Sequence, residues 1–262
     1  MNRGATVFTV RDYANDKEQY KNTLIKIKDI GYDSVQNGVP PFMSDAEMKE
    51  MLDYAGLVPC SAYADLGQMK DSPEAFKKAV EAAKTLGVKY ICVGTIPSGL
   101  CESIEGYKRF SADLNAVGKV LGKEGIGMMY HNHALEFYSF GGGQNGMDIM
   151  VAETDPSLVF FNLDTHWLAA GGVNPTDWIY KTKGRLPIIH FKDYAIGGGA
   201  QEVEGVCKRF AEVGEGNLDW ASIVNACHET GVEYAVVEQD TSLRCPFESL
   251  RISYDNMVKF GV

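Results

Sequence analysis

The chain has 262 residues, of which 45% are hydrophobic and 23% charged, and its formal net charge is −10. A globular protein of this size buries a substantial core. The acidic excess argues against nucleic acid or an anionic membrane surface as the main partner, because both attract basic faces. No apolar run approaches the roughly 18 residues that a membrane span needs.

The six cysteines are scattered and include no Cys-x-x-Cys pair. The first residues lack the apolar stretch of a secretory signal. In a chain of this size that is not secreted, scattered cysteines are expected to be reduced thiols. These features predict a soluble cytoplasmic protein.

Short apolar segments alternate with longer segments in which apolar residues recur every three or four positions. The predicted strands are, in chain order, 6–10, 34–36, 58–63, 90–94, 127–131, 159–164, 187–191 and 234–238. The clearest helical patterns are 16–30, 72–86, 111–121 and 220–229. Ser72-Pro73-Glu74 is a helix-start signal. Glycines at positions 31, 87, 125 and 231 are predicted to end helices.

Alternating strands and helices predict a parallel sheet, and eight such units over this length predict a single (β/α)₈ TIM barrel spanning residues 1–262. A doubly wound sheet is the alternative, but no Gly-x-Gly-x-x-Gly follows the first strand. The glycine clusters 141–143 and 197–199 are predicted to form flexible loops. Such loops lie either on the functional face of the barrel or in a surface insertion.

Charged residues and histidines stand at or just beyond the ends of the last four predicted strands. They are His131 and His133 at the fifth strand, Asp164 and His166 at the sixth, His190 and Lys192 at the seventh, and Glu238 at the eighth. Carboxyl ends of barrel strands converge on one mouth. A mixed carboxylate and imidazole shell suits Mn²⁺, Mg²⁺, Co²⁺ or Zn²⁺. One histidine at a strand end is usually only hydrogen-bonded, but four such ends in succession predict a site for one divalent ion.

An ordered set of motifs runs along the chain. It consists of His-Asn-His-x-x-Glu-Phe from position 131, Leu-Asp-Thr-His-Trp from 163, His-Phe-Lys-Asp from 190, Gly-Glu-Gly from 214 and Val-Glu-Gln-Asp from 237. This set resembles the sugar phosphate isomerase/epimerase family of the xylose-isomerase-like TIM-barrel superfamily. The resemblance begins at the first strand, with Phe8-Thr9-Val10-Arg11-Asp12, and covers nearly the whole chain.

The resemblance implies one divalent cation held by Glu, Asp, His and Glu at the ends of strands five to eight. The motifs assign Asp164, His190 and Glu238 to the last three positions. Many members have the ligating Glu where this chain has His131. Glu136 is therefore expected to supply the missing carboxylate, with His131 as a replacement ligand or a nearby acid/base. Mn²⁺ is the first expectation, with Zn²⁺, Co²⁺ and Mg²⁺ as alternatives.

The resemblance also implies differences in how the sugar is bound. Gln36 and Tyr63 stand where relatives often have an acid and a histidine, and they are expected to alter the sugar pocket but not the metal site. Apart from the resemblance, the positions of His166, Trp167 and Arg185 make them candidates for direct contact with substrate, Arg185 with a phosphate group.

The implied activity is that of a divalent-metal-dependent isomerase or epimerase of a sugar or keto-sugar, by proton transfer through a metal-stabilised enediolate. Glu238 is the expected first acid/base, and His131 or His133 the second. Lys192 is expected to stabilise the developing negative charge or to pair with Asp193 or Asp240.

Other functions stay open at this point. One alternative is a lyase on the same scaffold, either an inosose-type dehydratase or an enzyme that eliminates from a 3-keto-glycoside. Another is a non-catalytic sugar-binding pseudoenzyme. The endonuclease branch is disfavoured by the negative charge. The expected partners are a small-molecule sugar and, in a homo-oligomer, further copies of the chain.

Overall fold

A nearly closed barrel of parallel strands forms the centre of the protein, whose computed structural model describes residues 1–197 and 207–262. The barrel strands are β1 (Asn2–Thr6), β2 (Ser34–Gln36), β3 (Val58–Pro59), β4 (Ala62–Tyr63), β5 (Tyr90–Val93), β6 (Gly127–His131), β7 (Val159–Asp164), β8 (Ile188–Phe191) and β11 (Tyr234–Val237). A separate antiparallel hairpin consists of β9 (Asp193–Gly197) and β10 (Cys207–Ala211).

The order of the barrel strands is β3-β2-β1-β11-β8-β7-β6-β5-β4. Its two edge strands, β3 and β4, are successive pieces of one short segment. The first piece pairs with β2 and the second with β5. The sheet therefore closes on itself through the third strand–helix unit, and the predicted (β/α)₈ TIM barrel is confirmed.

The helices surround the sheet. They are α1 (Lys17–Ile30), α2 (Asp45–Ala55), α3 (Leu66–Asp71), α4 (Pro73–Leu86), α5 (Ile104–Lys123), α6 (Gly146–Glu153), α7 (Thr165–Ala170), α8 (Pro175–Lys181), α9 (Trp220–Thr230) and α10 (Pro246–Lys259). Asp16 and Ser72 cap α1 and α4 by accepting hydrogen bonds from backbone N–H groups. Within the described ranges, no helix is both long and apolar enough to cross a membrane.

The predicted first strand, 6–10, is wrong. The strand ends at Thr6, and a 3₁₀ helix covers Val7–Tyr13. The chain turns there because Thr6 and Thr9 share a side-chain hydrogen bond of 3.0 Å, and because Arg11 bonds the carbonyl oxygens of Phe8 and Asp240. The other seven predicted strands are confirmed to within one residue at either end, with 58–63 divided into β3 and β4.

The predicted glycine ends are also borne out. Gly31, Gly87 and Gly231 cap α1, α4 and α9 with positive φ, and Gly125 follows α5. Gly141–Gly143 all have positive φ in a turn before α6. Of the second glycine cluster, Gly197 ends β9, and the other two positions lie outside the described residues.

Apolar side chains fill the barrel interior below the carboxyl ends of its strands. A small buried cluster drawn from the barrel strands and from the link between β3 and β4 consists of Cys60, Cys92, Met129, Ile188 and Val236. A larger cluster joins the outer strand faces to the helices. The five cysteines whose side chains are described are free thiols.

Candidate metal centre

The polar side chains of the site lie next to the apolar interior of the barrel, on the side of the carboxyl ends of the strands. Side chains two residues apart on a strand point to the same face. His131 follows Met129 by two residues, and Glu238 follows Val236 in the same way. The strand period that buries the core therefore aims these polar residues into the mouth.

Four side chains form one buried cluster at this mouth: His131, Asp164, His190 and Glu238. Each offers one ligand atom, and these atoms all lie within 4.8 Å of one another. His190 Nδ1 lies 3.4 Å from Glu238 Oε2 and 3.8 Å from Asp164 Oδ2. Such a group of two carboxylates and two imidazoles could hold a divalent metal ion.

Two features of the cluster fit a cation. Asp164 Oδ2 and His190 Nδ1 are buried, and neither has a hydrogen-bond partner among the described residues. His131 Nδ1 lies 3.2 Å from the carbonyl oxygen of Asn162, which leaves its other ring nitrogen for a ligand. Burial lowers the pKa of His131 to about 3, so this imidazole is neutral and keeps the lone pair that metal binding needs.

Lys192 supplies a positive charge beside the cluster. Its ammonium is 3.0 Å from Glu238 Oε1, 2.8 Å from Asp240 Oδ1 and 3.6 Å from Asp164 Oδ2, and the residue is 1% exposed. Burial alone would lower the pKa of Lys192, but the three carboxylates outweigh it and raise the pKa. Burial alone would raise the pKa of Asp164, but the opposing influences, of which the Lys192 ammonium is the largest, hold the pKa below its usual value. The Asp164 carboxylate is therefore ionised.

Of the two ion pairs expected for Lys192, the structure has the one with Asp240. The Asp193 carboxylate instead accepts hydrogen bonds from Gly214 N, Gly216 N and Trp220 Nε1. A Cβ atom at position 216 would overlap Asp193 Oδ1. This contact explains the Gly-Glu-Gly motif, because the loop must approach the carboxylate closely.

Glu136, expected to be a ligand, does not join the cluster. Its Oε1 accepts a hydrogen bond of 2.5 Å from the Tyr130 hydroxyl, and its Oε2 accepts one of 2.8 Å from His133 N. Burial raises its pKa to about 7. Because both oxygens are engaged in holding the turn after β6, the structure places His131 at the strand-five position of the cluster.

If the cluster binds a divalent ion, we expect Glu136→Gln to bind it as wild type does. Glutamine offers one acceptor oxygen to two donors, so the variant should lose about 1–3 kcal/mol of stability. Metal analysis of the purified variant together with a thermal melt checks both statements. A folded Glu136→Gln protein that retains no metal would instead make Glu136 a ligand.

The residues expected to contact substrate separate into two groups. His166 Nδ1 is hydrogen-bonded to the carbonyl oxygen of Asp193 at 2.9 Å, and its ring packs against Phe210 with centroids 4.4 Å apart. The Trp167 ring lies 4.9 Å from Lys192 Nζ. These residues lie beside the cluster. Phe210 was not predicted, because its place on the β9–β10 hairpin leaves no motif in the sequence.

Arg185, expected to contact substrate, lies away from the cluster. Its guanidinium donates to Val159 O at 2.9 Å and to Thr154 Oγ1 at 2.6 Å. Val159 is the first residue of β7, whereas Asp164 is the last. Arg185 therefore lies at the opposite end of the barrel, where it ties the chain before β8 to the start of β7.

A cavity of about 410 Å³ opens over the cluster. Its lining includes Gln36, Tyr63, His131, His133, Lys192 and Glu238. His133 faces it with a ring 4.9 Å from that of His131. The cavity can admit a small polar molecule to the ligand atoms.

A TIM barrel with a buried polar cluster at the carboxyl ends of its strands has the layout of barrel enzymes. The chain belongs to the xylose isomerase-like TIM barrel family, whose sequence profile matches residues 24–248. The family expected from the motifs is thus confirmed.

Sequence relatives include an inosose dehydratase of Clostridium beijerinckii, 27% identical over 178 residues, and one of Lacticaseibacillus casei, 25% identical over 215 residues. The first match covers 59% of this chain and 56% of the relative. The second covers 72% of this chain and 70% of the relative. The chain thus spans little more than half the length of the Clostridium protein.

Solved structures show the same fold. A sugar phosphate isomerase/epimerase from Parabacteroides distasonis superposes with a TM-score of 0.78 at 23% identity, covering 98% of this chain and 93% of that one. An L-ribulose 3-epimerase superposes with a TM-score of 0.72 at 13% identity, covering 99% of this chain and 94% of that one.

Proposed function

We propose that this protein is a divalent-metal-dependent enzyme that removes the proton from the carbon beside the carbonyl group of a keto-sugar. The observation that carries the proposal is the buried cluster of His131, Asp164, His190 and Glu238 beneath an open cavity. A divalent ion held there would act as a Lewis acid towards the carbonyl group of the substrate. Mn²⁺ is the first candidate, because carboxylate-containing shells favour harder ions.

His133 and Glu238 are the proposed proton-transfer groups. Burial lowers the pKa of His133, so its imidazole is neutral, and Nδ1 has no partner among the described residues. Burial would raise the pKa of Glu238, but His190 and Lys192 outweigh it, so this carboxylate is ionised. Both groups line the cavity and both can accept a proton. His131 is a weaker candidate, because one ring nitrogen faces Asn162 and the other the cluster.

Elimination of water is the outcome that the site supports best. His133 takes the proton beside the carbonyl, the electron pair of that C–H bond forms the new C=C bond, and the C–O bond at the next carbon breaks. The same imidazole then returns its proton to the leaving hydroxide, and water is released. One base is sufficient for this reaction, which matches a site with His131 at the strand-five position. The dehydratase names of the sequence relatives support the same choice.

An isomerase or epimerase is the second candidate. His133 follows β6 and Glu238 follows β11, and β7 and β8 lie between these strands in the sheet. The two groups thus reach the cavity from separate parts of its rim. A proton taken by one group and replaced by the other would invert a carbon centre without loss of mass.

Mass spectrometry in D₂O tests both candidates. Metal-loaded protein is incubated with inososes, free ketoses and 3-keto-glycosides. A lyase product loses water or an aglycone, whereas an isomerase or epimerase product keeps its atoms and takes up deuterium. If no substrate exchanges deuterium or changes mass but the sugars bind, the protein is a sugar-binding pseudoenzyme and the proposal fails.

For any substrate found in this way, Glu238→Gln should lower kcat by at least about 100-fold, because the cluster loses a ligand charge and, in the isomerase or epimerase reaction, a proton acceptor as well. The change preserves shape, so the circular dichroism spectrum should not change. Wild-type turnover in a folded Glu238→Gln protein would remove this residue from the mechanism.

A further inference from the structure

The Gln36 side chain crosses the barrel interior to reach His190. Gln36 ends β2, and β1 and β11 separate that strand from β8 in the sheet. Gln36 Oε1 is hydrogen-bonded to His190 Nε2, and Gln36 Nε2 donates to Ser61 Oγ at 2.7 Å. All three residues are buried. This contact gives Gln36 a direct connection to a residue of the cluster, beyond its expected place in the sugar pocket.

The hydrogen bond decides which nitrogen of His190 is available. A neutral imidazole carries one ring proton, so only the other nitrogen can bind a metal. Nδ1 is the nitrogen that faces Glu238 and Asp164. Its lone pair is free only if the proton is on Nε2. Gln36 Oε1 accepts that proton, whereas an unprotonated Nε2 would bring two lone pairs into contact.

The Asn162 amide fits this arrangement when it is turned by half a rotation. With its Nδ2 3.5 Å from Gln36 Oε1 and 3.0 Å from His190 Nε2, two donors would face each other at the ring, while its Oδ1 has no partner among the described residues. The turned amide places that oxygen at Nε2 as a second acceptor. In either orientation, Gln36 Oε1 is the oxygen already within hydrogen-bond reach of the ring.

His131 has a comparable hydrogen bond, but from the backbone. Its Nδ1 faces the carbonyl oxygen of Asn162. Each histidine of the cluster thus has one nitrogen directed at an oxygen and the other at the ligand position, an arrangement that fixes both ring orientation and basicity in metal sites. The oxygen at His190 comes from a side chain and can be removed by substitution.

We propose that Gln36, held by Ser61, is a positioning residue of the metal site, which orients His190 and directs its Nδ1 lone pair at the ion. This inference rests on the proposed metal dependence and adds a determinant of metal affinity on a strand that supplies no ligand to the cluster.

Calorimetric titration of chelator-treated proteins with Mn²⁺ and Zn²⁺ tests the proposal. Gln36→Met keeps the volume but removes the acceptor, and should weaken metal binding by about 10- to 100-fold. Gln36→Glu restores an acceptor and should bind within a few-fold of wild type. Ser61→Ala should have a smaller effect than Gln36→Met. Thr95→Val is the matched control, since Thr95 lines the same cavity and has no side-chain hydrogen bond to the cluster.

Thermal melts of the metal-free proteins separate positioning from folding. Comparable melting temperatures with weakened affinity in Gln36→Met alone support the proposal. Wild-type affinity in Gln36→Met, or an equal loss in a folded Gln36→Glu protein, overturns it. Asp164→Asn tests the metal site separately from the role of Gln36. If that variant also binds metal as wild type does, the proposed metal site is wrong.

Discussion

Asp164→Asn should leave the protein folded but without its metal. Asp164 Oδ1 caps α7 by accepting from Trp167 N at 3.0 Å, and the asparagine oxygen can do the same. The Oδ2 atom, which faces His190 and Lys192, becomes an amide nitrogen with no charge and no lone pair to offer. We expect metal affinity to fall by at least about 100-fold, more than for a residue that only supports a ligand.

Inductively coupled plasma mass spectrometry of the purified proteins, before and after chelation and reloading, checks this result. Wild type should retain about one divalent ion per chain, as expected of a single catalytic site. Glu136→Gln is the matched carboxylate-to-amide control, since its oxygens bond Tyr130 and His133. If wild type takes up no manganese, cobalt, zinc or magnesium, the four residues do not form a metal site.

Lys192→Met should strongly destabilise the metal-free protein. The substitution leaves the carboxylates of Asp164, Glu238 and Asp240 together without the ammonium that neutralises them. Removing one partner of a buried ion pair costs about 3–5 kcal/mol. For a chain of this length, the melting temperature should fall by about 10 °C. A divalent ion would return positive charge to Asp164 and Glu238, so Mn²⁺ should recover much of the loss.

Thermal melts with and without Mn²⁺ measure both effects. Lys208→Met serves as the control, because Lys208 is exposed on β10 and should change neither melting temperature nor metal response. An unchanged melting temperature in Lys192→Met would show that the lysine does not neutralise the site. If Mn²⁺ does not restore the melting temperature of Lys192→Met, the lysine and the ion do not neutralise the same carboxylates.

Much of the barrel could be predicted because local patterns determine its strands. Each later strand is an apolar run that stops at a polar residue, and these stops coincide with the carboxyl ends of β6, β7, β8 and β11. The first strand was predicted too late in the chain, because its early residues, Asn2 and Arg3, are polar and do not resemble a buried strand. They enter the sheet by pairing with β11, a partner more than 200 residues away.

The site was predicted less completely, for a related reason. The order of motifs identifies which residues reach the mouth, but not which of their atoms are already engaged. Glu136 and His131 are equivalent candidates in the sequence, and only the contacts of Glu136 with Tyr130 and His133 N separate them. The link between Gln36 and His190 crosses the barrel, and Arg185 precedes β8 at the end of the barrel opposite the cluster.

The division of the third barrel strand into β3 and β4 affects where the sheet can open locally. β3 and β4 are each joined to their neighbour by two residue pairs, whereas β6–β7 and β8–β11 are each joined by four. Because β3 and β4 have the fewest paired residues of the strands compared, local opening of the sheet is expected to begin between them. None of the four strands of the cluster is an edge strand, and each is separated from the edges by at least one further strand. Local opening between β3 and β4 would therefore not directly unpair a strand that carries a ligand atom.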